Sequence, residues 1–162
     1  LQGEPALQDA LRDAASRRPD AVAVFVDFNE ALAHSIEAGA DVFLMPSRFE
    51  PCGLNQMYSQ AYGTLPVVHA TGGLADSVEN VKLGAEGVTG TGFVMPEPTV
   101  SALQHALQRA LALYQAPSDW LCVQRNGMSQ DFGWAASARE YEGVYRSLLT
   151  EAKATRDASD QL

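Results

Sequence analysis

Glu50 stands in the segment Ser47-Arg48-Phe49-Glu50-Pro51-Cys52-Gly53-Leu54-Asn55-Gln56, where it is the only acid and lies just before a Pro-Cys-Gly turn. A second turn, Thr71-Gly72-Gly73-Leu74, follows the next apolar run. A glycine at the mouth of a helix leaves the N–H groups of Gly53, Leu54 and Asn55 outside the helical ladder, and the helix dipole favours a phosphate there. Glycine also lets a ligand approach the backbone with no Cβ in the way, and Gly72-Gly73 repeats the device. A carboxylate at position 50 could hold sugar hydroxyls or stabilise positive charge developing at an anomeric carbon. Phe28 offers a flat face for a stacked base. Together these residue types suit a sugar carried on a diphosphate.

Each feature also has a structural reading. A Pro-Cys-Gly turn can be only a turn, Gly72-Gly73 only a loop, and Phe28 only core. Other chemistries fit less well. Cys52 has no histidine in its loop to act as a base, which argues against a thiol nucleophile. Gly87, Gly90 and Gly92 lead into a strand with no Gly-Lys-Ser/Thr behind them, so they are not a phosphate-binding P-loop. His34, His69 and His105 lack metal-ligand spacing, and neither metal nor cofactor is expected. Ser47 and Ser59 sit in no nucleophile elbow.

The totals narrow the partners. A formal charge of −9 argues against nucleic acid or an anionic membrane surface, and no apolar run is long enough to span a bilayer. Only 11 of the 162 residues are Lys or Arg, and Arg48 is the one in the Glu50 segment, so phosphate ligands are few. Two cysteines give neither a disulfide framework nor a zinc pattern, which suits a reducing cytosol. The chain opens on Leu1 with no secretory leader, and a piece of a longer protein is expected.

Positioning these residues falls to an alternation of strands and helices. Leu7, Leu11, Ala14 and Ala15 mark a helix ending before Pro19. Val22 to Val26 reads as a strand buried on both faces, followed by a helix over Leu32, Ala33 and Ile36 that closes at Gly39. Val42 to Met45 is the next strand, stopped by Pro46. Leu54, Met57, Tyr58, Ala61 and Tyr62 form an apolar helical stripe ended by Gly63, and Val67-Val68 continues as a strand. This rhythm predicts an α/β fold, a Rossmann-like parallel sheet with helices on both faces. Ligands in such a sheet bind beyond the carboxyl ends of the strands, so loops carrying Phe28 and Asn29, Glu50 to Gly53, and Thr71 to Gly73 are expected to converge. Val81 to Gly92 reads as loop and Phe93 to Met95 as a short strand. A long helix from Val100 to Tyr114 is capped by Thr99, another starts near Ser118, and a last one carries Trp134, Ala138, Tyr141, Tyr145 and Leu148. Residues 1–117 are expected to be a partial Rossmann-like domain, 118–150 its C-terminal helices, and 151–162 a flexible tail.

Taken in order, Ala40-Asp41, Pro46 to Leu54, Tyr62 to Pro66 and Thr71 to Val78 resemble the bacterial glycogen synthase and plant starch synthase family. Trp120, Gln124-Arg125, Met128 and Asp131 to Trp134 are similar to that family's C-terminal helices, so the likeness runs from about Gly3 to Leu149. It implies part of the C-terminal domain of a GT-B glycosyltransferase, one with two Rossmann-like domains facing a cleft. The implied parent is a retaining hexosyltransferase that moves glucose from ADP-glucose to the non-reducing end of an α-1,4-glucan. Its acceptor domain lies outside this chain, which is then expected to be inactive alone.

By the same resemblance Glu50 is the catalytic carboxylate, and Cys52, Gly53, Leu54 and Asn55 line the glucose and the phosphates. Phe28 stacks on adenine, and Thr71, Gly72 and Gly73 close around the donor. Asn55 replaces a frequent Thr, and Ala70 a frequent basic residue. The Arg and Lys that neutralise the diphosphate lie upstream of Leu1. A bacterial cytoplasm is implied, or a plastid for a plant or alga. The alternatives are a non-catalytic nucleotide-sugar or glucan-binding module and a related transferase that uses UDP-glucose or makes sucrose.

Overall fold

The computed structural model describes residues 4–85 and 87–159, with backbone alone for 152–159. The chain divides into two compact units, Leu1–Glu37 and Ala38–Leu162.

In the first unit α1 (Pro5–Arg17) begins with proline at its first position, where the missing N–H costs nothing. Helix α2 (Glu30–Gly39) is opened by Asn29, whose Oδ1 accepts from the Leu32 N–H at 2.9 Å, and it runs across the division between units. Between them, Val22 to Val26 does not form the expected strand. Val22, Val24 and Val26 are half-buried while Ala23 and Phe25 are exposed, so the run is not covered on both faces. Among the described residues no strand offers it a ladder, and an extended run without a partner is not sheet.

The second unit holds β1 (Val42–Met45), α3 (Asn55–Tyr62), β2 (Leu65–His69) and α4 (Gly72–Ser77). It continues with β3 (Lys82–Gly84), β4 (Gly87–Thr89), β5 (Phe93–Met95), α5 (Val100–Tyr114), α6 (Pro117–Met128) and α7 (Trp134–Ser159). Strands β1, β2 and β5 form a parallel sheet in the order β1-β2-β5, with Val42 opposite Leu65 and Val67 opposite Phe93. Alternate residues of the central strand serve opposite faces. Leu65 and Val67 join Phe93, Met95, Ala106, Ala110, Trp120 and Val123 in the main core, under α5 and α6. Val68 packs with Leu74 and Val78 on the other side. Helices therefore cover both faces, and the α/β fold is the one expected.

The Val81 to Gly92 stretch is not plain loop. β3 and β4 form an antiparallel hairpin in which Gly84 pairs with Gly87. Two three-residue strands rich in glycine carry too little alternation to announce themselves. Thr99 caps α5 as expected, its Oγ1 accepting from the Ala102 N–H at 3.2 Å. The last helix continues to Ser159, well past Leu149 where its apolar face ends. Its aromatic residues do not join the core, and Trp134 is 91% exposed. No helix among the described residues is long and apolar enough to cross a membrane.

Candidate functional site

Parallel pairing of Val42 to Met45 with Leu65 to Val68 ends β1 and β2 at one rim, so the loops that follow emerge side by side. Buried His69, the last residue of β2, joins them: its Nδ1 donates to the Ser47 carbonyl at 2.8 Å. The Ser47 hydroxyl lies 3.4 Å from Glu50 Oε2, a long contact that leaves the half-buried carboxylate largely unspent.

The second turn sits directly on the first. Gly72 has φ +45°, in the left-handed region, and a Cβ there would collide with the carbonyl oxygen of Glu50. A Cβ on Gly73 would collide with the carbonyl of Cys52 and reach 2.7 Å from its Cα. Both glycines are thus required by backbone packing. That packing brings Glu50, Cys52, Gly72 and Gly73 into one cluster. Gly53, at φ +73°, turns the chain into α3, whose first internal bond runs from the Met57 N–H to the Leu54 carbonyl. The N–H groups of Gly53, Leu54 and Asn55, and those of Gly72 and Gly73, donate to no described residue. Leu54 and Asn55 are exposed, Cys52 is an exposed free thiol, and Thr71 is half-buried with its side chain outside any cap bond.

Two expectations fail here. Helix α3 does not bury its apolar stripe: Leu54, Tyr58 and Tyr62 are exposed, whereas Gln56, Ser59 and Gln60 are buried. The buried amide nitrogens find acceptors in backbone carbonyls and one hydroxyl, while Gln56 Oε1 and Gln60 Oε1 are buried without a partner among the described residues. Gln56 Nε2 donates to the carbonyls of Cys52 at 3.2 Å and Gly53 at 3.1 Å, and to Ser77 Oγ at 2.9 Å. Gln60 Nε2 donates to the carbonyls of Gln56 at 3.2 Å and Ser77 at 3.1 Å. Secondly, the strand expected before Phe28 is not formed among the described residues. Phe28 belongs to the other compact unit and is 82% exposed, so it is not core. Sequence reasoning missed His69, Gln56, Gln60 and Ser77. The i, i+4 spacing of the two glutamines, opposite the apolar stripe, was the available signal. No three His, Cys, Asp or Glu side chains among the described residues come together as metal ligands.

A carboxylate near five N–H groups that donate to no described residue, at the carboxyl rim of a parallel sheet, is an arrangement that can take an anionic group. The family model described as glycosyl transferases group 1 matches residues 9–121, and the chain belongs to that family. It is 57% identical over 152 residues to a glycogen synthase of Paracidovorax citrulli (strain AAC00-1), covering 93% of this chain and 30% of that relative. A glycogen synthase of Nitrosospira multiformis is 54% identical over 154 residues, covering 93% of this chain and 31% of the relative. The chain therefore spans about three-tenths of the length of these relatives. Among solved structures, it resembles the catalytic domain of starch synthase IV from Arabidopsis thaliana bound to ADP and acarbose. That match has 33% identity and a TM-score of 0.75, over 89% of this chain and 30% of that one. A sucrose-phosphate synthase from Thermosynechococcus elongatus matches with 25% identity and a TM-score of 0.60, over 93% and 36%.

Proposed function

We propose that the chain is the donor-binding part of a glycogen or starch synthase, which transfers glucose from ADP-glucose to the non-reducing end of an α-1,4-glucan with retention of configuration. The observation that carries this reading is the seating of Gly72 and Gly73 on the backbone of Glu50 and Cys52. It sets one carboxylate against two groups of free N–H donors. The diphosphate rests on the N–H groups of Gly53, Leu54 and Asn55 at the start of α3, and Gly72 and Gly73 close over it with Thr71. These donors stabilise the charge that grows on the departing phosphate oxygen as its bond to the anomeric carbon breaks. Glu50 stabilises the positive charge left on the sugar, and the acceptor hydroxyl attacks from the face the diphosphate leaves. Cys52 lines the glucose, and Phe28 stacks on the base. The ADP held by the starch synthase neighbour supports adenine as that base.

The domain that binds the acceptor glucan and further cationic groups belong to the rest of the parent protein, which acts in a bacterial cytoplasm. Support comes from the threefold greater length of the relatives and from the single cation, Arg48, in the Glu50 loop. Glu50→Ala in the full-length protein should lower turnover of ADP-glucose by orders of magnitude while the fold and ADP affinity persist. ADP release onto glycogen measures it, and an unchanged rate refutes the assignment.

A further inference from the structure

Burying a primary amide is costly unless its hydrogens are spent, and α3 buries two while leaving Leu54, Tyr58 and Tyr62 exposed. Gln56 is 0% exposed, and the two hydrogens of its Nε2 are shared among three acceptors: the Cys52 carbonyl, the Gly53 carbonyl and Ser77 Oγ; its Oε1 is buried without a partner among the described residues. Ser77 Oγ in turn donates to the carbonyl of Gly73. One unbroken path of hydrogen bonds thus runs from the Pro-Cys-Gly turn, through a buried amide, to the Gly-Gly turn.

The peptide plane gives this path a consequence at the rim. In a trans peptide the carbonyl of one residue and the N–H of the next point in opposite directions. Holding the Cys52 carbonyl inward on Gln56 turns the Gly53 N–H outward, and holding the Gly53 carbonyl inward turns the Leu54 N–H outward. We propose that Gln56 is a positioning residue that, with Ser77, aims the N–H donors of the Pro-Cys-Gly turn and fixes their spacing from the Gly-Gly turn. Gln56 touches no substrate; it acts through the backbone it holds. The proposal rests on the reading of this rim as a nucleotide-sugar donor site.

The test uses the full-length protein with Gln56→Leu, which keeps the bulk and removes the amide, and Ser77→Ala, which cuts only the link between turns. Two quantities are followed: the rate at which iodoacetamide alkylates the exposed Cys52, read on its peptide by mass spectrometry, and the KM for ADP-glucose against that for glycogen. Gln56→Leu should speed alkylation several-fold and raise the donor KM and the ADP Kd about tenfold or more, with the glycogen KM unchanged. Ser77→Ala should move the same quantities less, and it carries the test if Gln56→Leu does not fold. A purely structural role would lower the amount of active protein and leave the donor KM of the remainder intact. Alkylation and donor KM at wild-type values in both variants overturn the proposal. Should ADP-glucose fail to shield Cys52 in the wild type, the donor-site reading falls. The positioning role then stands or falls on the ligand-free alkylation rate alone.

Discussion

Gly73→Ala isolates the seating of one turn on the other. Gly73 does not have a positive φ, so alanine meets no backbone penalty there, and the effect is steric. The new Cβ would stand 2.7 Å from both the carbonyl carbon and Cα of Cys52. Carbon atoms rest comfortably at about 3.5–4.0 Å, so the two turns must part by about 1 Å. Those atoms are backbone, and no flexible side chain can swing away to absorb the clash. Overpacking of this kind costs about 1–3 kcal/mol of stability.

The larger consequence is expected in the chemistry. A misplacement of about 1 Å between groups that act on one substrate costs about a hundredfold in rate, roughly 2.7 kcal/mol of barrier. Gly73→Ala in the full-length protein should therefore lower kcat/KM for ADP-glucose about a hundredfold. ADP release with saturating glycogen measures this, after normalisation to folded protein. Gly143→Ala is the control: it lies within α7 with nothing in reach of its Cβ, and it should leave kcat/KM alone while adding roughly 0.5–1 kcal/mol of helix stability. A folded Gly73→Ala variant with kcat/KM within a factor of about three of wild type would show that separating the turns is harmless. The site would then not depend on their contact.

Two further predictions concern burial. Burial pushes the carboxyl of Glu37 above the ordinary glutamate range, with the nearby charge of His34 opposing it. A raised folded-state pKa makes the stabilising contribution full below the unfolded value and removes it as pH rises through the raised one. Glu37→Gln should thus be more stable than wild type at neutral pH and equal to it under acid. Denaturant midpoints against pH for both proteins test this, and parallel curves refute it. Trp134 is 91% exposed, whereas Trp120 is buried with its ring edge-on to Tyr114, centroids 5.0 Å apart. Acrylamide should quench Trp134 freely in the isolated chain with Trp120→Phe. In the same variant of the full-length protein quenching should fall several-fold, if the remainder of the parent covers α7; equal quenching would leave that face bare.

What was legible in the sequence depended on which energies a residue pattern carries. Val42 to Met45, Val67-Val68 and the α5 stripe are continuous or periodic apolar runs set off by Pro46, Gly63 and Thr99, and they lie in β1, β2 and α5, with β2 extending beyond the pair to Leu65 and His69. The rim cluster followed from topology, since parallel strands deliver their loops to one edge. Helix α3 shows the limit. Its periodicity singled out Leu54, Met57, Tyr58, Ala61 and Tyr62, yet the residues driven inside are Gln56, Ser59 and Gln60. Hydrophobic pattern counts the cost of removing an amide from water. It cannot see that a neighbouring turn presents two carbonyls, and α4 a hydroxyl, to the amide nitrogen and so offsets part of that cost. Val22 to Val26 failed for the complementary reason: the apolar run was present, and among the described residues no partner strand was.

The same accounting explains which positions of the rim tolerate change. A backbone N–H is supplied by almost any residue, so Leu54 and Asn55 can deliver theirs to a phosphate whatever their side chains, and the exposed side chain of Asn55 has room to vary. Gly72 and Gly73 have no such freedom, because a Cβ on either would strike the Glu50 or Cys52 backbone before it reached any ligand. Gln56 has none either, since its amide is the hidden anchor of the carbonyls that face away from the rim. Specific residue types are thus demanded less by contact with the substrate than by the need to hold peptide planes at a fixed angle. The single carboxylate, Glu50, is the exception, and on the proposed reading it is the one side chain whose own charge enters the reaction.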